Sequence, residues 1–438
     1  MWELLYAFSP TDPGLTVFNV FATATWDFPV DRDHFQAAVD EVMRRHDALR
    51  IVFTDTSLDP RIRVAPEVDT TITFADLTDV PAERRAVMQS SVLAYERART
   101  YDLRHGPLWR ASLLRLGESQ HVVAVTMNHV ISDGRSADVF LRDLRTAYLA
   151  RTGLGPPLAP LRLSYPAAQA ALALDEAQLR QRQEYWRRSL TPLPTEWPYP
   201  PVLDGPGLDV TAESDLAVPI PADVATKLRT FARRHRTTPF VLLLAAYRIF
   251  LGARTGWSRV VIATASTGRE ALPAGGDDLI GQFSQNTYLA TTIDLNTSLS
   301  DAIAAVRSCV YEAMRNQASF WEIARAANPD FDAMRPWPFF HLYHAWMHGA
   351  AFAVPTGGYR ISRMRPPPVT PDAALLRLYA RRMAPGLTVQ LDGGGAVMGF
   401  NPTIYPQQLV REALQGYVAV LSALVADPEQ RIADLKLP

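Results

Sequence analysis

The chain has 438 residues, a formal net charge of −1, 48% hydrophobic residues and 20% charged residues. That balance supplies ample apolar material for packed cores and excludes a wholly disordered chain. It also removes the electrostatic reason to expect a nucleic acid or an anionic membrane as partner. At roughly 150 residues per domain, the length suggests two large lobes. Only two of the 44 basic residues are lysine, Lys227 and Lys436, an imbalance that reads as coding bias from a GC-rich genome. The single cysteine, Cys309, excludes an intrachain disulfide. It sits in an apolar helical pattern, where a small core residue is expected rather than a nucleophile. The amino-terminal MWELLYAFSP lacks a basic stretch, and the apolar run Pro239 to Gly252 is interrupted by Arg248 and too short to span a bilayer. A soluble, cytoplasmic monomer is expected.

In chain order, Leu15 to Trp26 alternates as a strand does, and Asp31 to His46 carries Phe35, Ala38, Val39, Val42 and Met43 at helical spacing. A short strand is predicted over Leu49 to Phe53 and a helix over Val80 to Thr100. Strands follow at Leu108 to Leu116 and His121 to Met127, joined by the turn Gly117–Glu118–Ser119. Ser136 is placed to cap a helix running to about Ala150. Six prolines fall between Thr191 and Gly207, and proline fixes φ and removes a donor, so an extended crossover is expected there. Beyond it, Ala222 to His235 is an amphipathic helix, Thr238 to Leu251 a buried helix and Val260 to Ala265 a strand. Ser300 is expected to cap a helix carrying Ile303, Val306, Val310 and Met314. Strands are predicted at Phe339 to His344, Leu375 to Tyr379 and Leu387 to Leu391, with a last helix over Gln407 to Val425. This order fits two α+β lobes, each with its own sheet. The predicted division is residues 1–170 for the first lobe, 171–210 for the crossover and 211–438 for the second.

The chemistry concentrates in HVVAVTMNHVISDGRSADVFLRD, His121 to Asp143. A strand ends at Met127, Asn128 and His129 follow directly, then come Asp133, Gly134 and a capped helix. A histidine at a strand end can act as a general base, because an ordinary pKa of about 6.5 leaves it able to accept a proton at neutral pH. Gly134 allows tight backbone approach or positive φ. The bland alternative is a strand–turn–helix connection with a polar rim, and the short pattern alone does not decide between them.

The segment resembles the HHxxxDG signature of the condensation-domain superfamily, which includes nonribosomal peptide condensation domains and chloramphenicol acetyltransferase. Other blocks carry the resemblance in family order: RHDALRIVF (Arg45 to Phe53), YDLRHGPLWRASLLRL (Tyr101 to Leu116), EYWRRSL (Glu184 to Leu190), then TPFVLLLAAYRIFLGARTG, VVIATASTGRE and LIGQFSQNTYL. The chain departs from the family where Asn128 replaces the first His, while the second is kept as His129. An asparagine can still donate and accept hydrogen bonds. The family's second-lobe FVNT reads Phe283–Ser284–Gln285–Asn286–Thr287.

The resemblance implies two chloramphenicol-acetyltransferase-like lobes in a V with a tunnel between them. It implies that His129, supported by Asn128, deprotonates or orients an amine or alcohol attacking an acyl thioester. Gly134 would bring backbone close to the oxyanion. Asp133 would brace the turn through an arginine, with Arg269 as the expected partner. No bound cofactor or metal is implied: the acyl group arrives on the phosphopantetheine of an acyl or peptidyl carrier protein, or on coenzyme A. His341, His344 and His348 are spaced i, i+3, i+7, but without a nearby Cys or acidic residue the expected role of that region is a substrate pocket. Trp337, Tyr343, Trp346 and Asn286 are the candidates to line it. His46 is read as a helix-end residue capping carbonyls. Three functions follow: a free-standing condensation enzyme forming an amide or ester in natural-product biosynthesis, a coenzyme A-dependent acyltransferase, or a catalytically silent platform that recruits another enzyme.

Overall fold

The computed structural model describes residues 19–55, 60–70, 72–192, 212, 214–328, 343–348, 360–361, 386–391 and 395–438. These form two compact units. One draws on 1–174, 267–284 and 354–370, and the other on 175–266, 285–353 and 371–438.

The first unit opens with β1 (Asn19–Trp26) and α1 (Arg32–Arg45), whose N-cap Asp31 accepts a hydrogen bond from the His34 amide. Residues Asp47–Arg50 make a 3₁₀ turn, so the predicted strand shrinks to β2 (Ile51–Phe53). Then come β3 (Ile62–Val64), β4 (Thr73–Asp76), α2 (Ala82–Ala98), β5 (Trp109–Gly117), β6 (Gln120–Asn128) and α3 (Gly134–Arg151). Two further helices follow, α4 (Tyr165–Leu172) and α5 (Glu176–Leu190), the second belonging to the other unit. That unit continues with β7 (Ser214–Val218), α6 (Ala222–Arg234), α7 (Pro239–Thr255) and β8 (Arg259–Ser266). Next are β9 (Gln285–Thr292), α8 (Leu299–Arg315), α9 (Phe320–Ala327) and β10 (Tyr343–His348). The strand β11 (Arg360–Ile361) belongs to the first unit, and β12 (Gly386–Gln390), β13 (Gly395–Phe400) and α10 (Gln407–Ala426) close the second.

The first unit's sheet runs β11-β1-β6-β5-β4, antiparallel except where β4 meets β5. The β5–β6 hairpin turns tightly, with Gly117 opposite Gln120. On one face α1 and α3 cover Val20, Trp26, Trp109, Val123, Val125 and Met127, with Phe35 and Phe140 packed among them. On the other, α2 lies over the smaller cluster of Leu77, Leu114 and Val122. The second unit's sheet runs β7-β13-β12-β10-β8-β9, mixed because β10 is parallel to both neighbours. Helix α7 is buried from Val241 through Gly252, as its unbroken apolar run requires. The 20-residue α10 is long and apolar enough to cross a membrane. Here it is a core helix: Val410, Leu414, Tyr417, Val420 and Leu421 are buried, and it packs against α7.

Several sequence-based expectations are corrected. Asp133, not Ser136, is the N-cap of α3. Its carboxylate accepts from the Ser136 amide, while the Ser136 hydroxyl bonds back to the Asp133 amide in a capping box. Ser298 rather than Ser300 caps α8, because its hydroxyl reaches the Asp301 amide at 3.0 Å. The stretch 171–210 is not wholly a linker. Up to Leu190 it is mostly α5, closed by a second capping box between Asp175 and Gln178. Only Trp186 and Leu190 of α5 are buried, too narrow a stripe to announce a helix. Nor is 211–438 one continuous lobe. Residues 267–284 pack into the first unit through buried Arg269, and β11 pairs with β1. The strand expected at Leu375 to Tyr379 lies outside the described residues.

Candidate active site

Strand β6 ends at Asn128, and all hydrogen-bonding groups of that residue except one have a partner, two of them in the turn that follows. The Asn128 amide donates to the Leu108 carbonyl at 2.8 Å. Its carbonyl accepts from the Ile131 amide at 3.1 Å and the Ser132 hydroxyl at 2.9 Å. Its side-chain Oδ1 accepts from the Val130 amide at 3.0 Å. His129 therefore projects from a turn held on both sides. It is half-buried, and its Nδ1 is buried with no hydrogen-bond partner. Desolvation lowers the His129 pKa below its ordinary value, and neighbouring backbone groups and the Asp133 charge only partly offset this. The imidazole is thus neutral at pH 7, with a lone pair able to accept a proton.

Asp133 does not reach His129 by a hydrogen bond; its carboxylate is committed elsewhere. Oδ1 accepts from the Ser136 amide at 2.8 Å and the Ser136 hydroxyl at 2.7 Å. Arg269 Nη2 donates to Oδ1 at 2.9 Å and Oδ2 at 3.1 Å, and the Phe283 amide donates to Oδ2 at 3.2 Å. Both side chains of the ion pair are 2% exposed. Arg269 Nη1 donates to the carbonyls of Gly276 and Leu279, and the guanidinium stacks 4.6 Å from the Phe283 ring. A buried pair of this kind holds only if its remaining donors and acceptors are also satisfied, and nearly all are. Asp133 and Arg269 thus pin 267–284 beneath the His129 turn.

That segment depends on two glycines. Gly268 has φ +66°, and a Cβ there would lie 1.8 Å from the Phe283 carbonyl oxygen. A Cβ on Gly281 would lie 2.3 Å from the Tyr165 ring. Gly281 also exchanges hydrogen bonds with the Ser136 hydroxyl, at 3.0 and 2.9 Å. Sequence reasoning did not single out Ser136, Gly268, Gly281 or Phe283 as site residues. All four sit inside the quoted segments, Ser136 there only as a helix cap, but nothing in their spacing reveals that they close on Asp133.

Of the two expectations for Gly134, positive φ is not met. Gly134 is the first residue of α3, with its amide at the helix N-terminus. The amides of Gly134 and Arg135 belong to the first turn, whose N–H groups the helix does not itself use. Asp138, one turn further on, is largely buried, and burial raises its carboxyl pKa to about 6. His46 is also corrected. Its backbone ends α1, but its imidazole bonds Asp143 at 3.0 Å. Asp143 is held as well by Arg45 at 2.9 Å and by the exposed Arg142 at 2.8 Å, so that only His46 and Asp143 of this cluster are buried.

The remaining pocket candidates among the described residues belong to the second unit. Asn286 is exposed on β9 of the second unit. Tyr343 and Trp346 lie on β10, opposite Ile262 and Thr388, and Trp337 lies outside the described residues. His344 and His348 are in the same strand, so their spacing has no helical register, and His341 lies outside the described residues. A cavity of about 310 Å³ in the first unit is bordered by Asp69, Thr73, Arg99, Trp109 and Arg110, and none of the motif residues lines it.

Comparison with known proteins gives the family. The family model described as "Condensation domain" matches residues 3–332. Phosphinothricin tripeptide synthetase PhsC of Streptomyces viridochromogenes is 32% identical over 72% of this chain, which spans 29% of that protein. Surfactin synthase subunit 1 of Bacillus subtilis is 26% identical over 96% of the chain, which spans 11% of it. The chain thus covers less than a third of these relatives. The first condensation domain of the calcium-dependent antibiotic synthetase superposes with a TM-score of 0.75 at 18% identity, covering 100% of this chain and 97% of that one. SgcC5 from Streptomyces globisporus gives 0.69 at 20% identity, covering 95% and 94%. The α+β architecture is that of these chloramphenicol-acetyltransferase-like proteins, and the chain belongs to the condensation-domain family.

Proposed function

We propose that this chain catalyses condensation of a thioester-bound acyl group with an amine or alcohol, as part of nonribosomal-type peptide biosynthesis. The nucleophile attacks the thioester carbonyl carbon while the His129 imidazole takes its proton. The C–S bond then breaks, and the departing sulfur recovers the proton from His129, giving an amide or ester and a free thiol. Nothing is oxidised or reduced, and neither a metal nor a bound cofactor enters. The acyl donor is read as a carrier-protein phosphopantetheine thioester. The amides of Gly134 and Arg135 at the α3 N-terminus are the proposed donors toward the carbonyl oxygen as it gains charge. Asp133 acts through the turn and not on substrate.

What supports this reading is His129 itself: an imidazole whose pKa burial lowers, on a turn tied down on both sides of it. The test is single-turnover transfer from a loaded carrier protein, with wild type and His129→Ala side by side. A second arm replaces the carrier with a coenzyme A thioester, because a structural neighbour, the starter condensation domain of rhizomide synthetase, was solved with C8-CoA. Transfer from coenzyme A at an equal rate would reassign the donor. Turnover unchanged in His129→Ala would remove His129 from the chemistry, and no transfer by the wild type with either donor would leave the recruitment platform as the surviving reading.

A further inference from the structure

Asn19 in β1 and Asn128 in β6 are directly opposed in the antiparallel ladder. Opposed residues of such a pair share a face, with Cβ atoms about 4.5–5.5 Å apart. Val123, Val125 and Met127 of β6 face the core under α1 and α3, so the alternating Asn128 faces the other side, with Asn19. The two side chains are 2% and 0% exposed.

Each amide is only half satisfied. Asn19 Nδ2 donates to the carbonyls of Arg97 at 3.1 Å and Arg99 at 2.9 Å, which leaves Oδ1 buried without a partner. Asn128 Oδ1 is taken by the Val130 amide, which leaves Nδ2 buried without a partner. These neighbours also fix which end of each amide is oxygen and which is nitrogen. The two orphans are of opposite sense, one acceptor and one donor, and they do not bond each other directly. Buried polar side-chain atoms nearly always find a partner. One water, accepting from Nδ2 and donating to Oδ1, satisfies both at once.

We propose that Asn19 and Asn128 are joined through one bound water, and that this bridge makes both amides positioning residues for His129. The bridge ties the residue before His129 to β1, while the same side chain ties Val130 on the far side. An imidazole at position 128 would be bulkier in a fully buried site, so the arrangement belongs to this sequence and not to the HHxxxDG pattern. The functional half of the inference rests on His129 being the proton acceptor; the structural half does not.

Two measurements test it. A high-resolution crystal structure is expected to show an ordered water within about 3.2 Å of both Asn19 Oδ1 and Asn128 Nδ2. A direct amide–amide bond, or dry apolar packing there, overturns the bridge. The second measurement compares steady-state transfer in Asn19→Ala, Asn128→Ala and the double variant. Each single change is expected to lower kcat about tenfold with KM unchanged, and the double to lower it no further, because both remove the same bridge. The acid limb of kcat against pH is expected to rise toward about 6.5 as the loosened turn admits water to His129. Losses that multiply to about a hundredfold, or changes confined to melting temperature, overturn the positioning role. If the water is present but His129→Ala turns over normally, the catalytic reading fails and the bridge stands.

Discussion

Replacing Asp133 by Asn removes one charge from a site where both partners are 2% exposed. The amide keeps an oxygen that can still cap the Ser136 amide, so the helix start survives. What is lost is the counter-charge of Arg269, which stays buried among the carbonyls of Gly276 and Leu279 and the Phe283 ring. Breaking a buried pair on one side typically costs about 3–5 kcal/mol. For a unit of this size each kcal/mol moves the melting temperature by about 2–4 °C, so a fall of about 6–20 °C is expected. Adding Arg269→Met in the Asp133→Asn background removes the stranded charge and is expected to recover part of the loss. The assay is thermal unfolding followed by circular dichroism, with transfer activity measured well below the transition. A variant that melts with wild type yet has lost turnover would refute the bracing argument and put Asp133 in direct contact with the chemistry.

Asp138→Asn is expected to stabilise the protein at pH 8 by about 1–3 kcal/mol and to do nothing at pH 3. The folded carboxyl has a pKa raised to about 6 against 3.8, so ionising it destabilises the fold progressively between those values and fully above them. Urea unfolding at the two pH values checks this, and equal effects at both would refute it. Gly268→Ala combines a left-handed φ with a Cβ placed 1.8 Å from a backbone oxygen, so soluble yield is expected to collapse. A normally folding variant would contradict the close approach. The lowered His129 pKa predicts a kcat/KM profile that is flat from pH 7 to 8, with its acid limb below about 6.5. An acid limb above 7 would contradict burial as the dominant influence.

Much of this architecture was legible because its signals are local. The 3.6-residue spacing in Phe35 to Met43, the unbroken apolar run of α7 and the strand alternation before Asn128 each report on their own element. The resemblance blocks added order to these elements. The boundaries that failed depend on partners distant in sequence. Residues 267–284 read as part of the second lobe until Arg269 is seen buried against Asp133, 136 residues away in the chain. Helix α5 exposes most of its surface, so its hydrophobic stripe was too thin to announce it. The Asp133–Arg269 pairing came from the reasoning that a buried carboxylate needs a cation, together with the STGRE block. The cap at Asp133, the Ser136–Gly281 exchange and the opposed Asn19 and Asn128 leave no periodic trace in the sequence.

The central claim is that His129 moves a proton during acyl transfer. The most direct test is the single-turnover rate of acyl transfer from a loaded carrier protein to an amine or alcohol acceptor, for wild type and His129→Ala at pH 7.5. General base catalysis contributes about 10²–10⁴-fold, so the variant is expected to retain its fold and acceptor binding while transfer slows by at least about two orders of magnitude. An unchanged rate in a well-folded variant would contradict the claim.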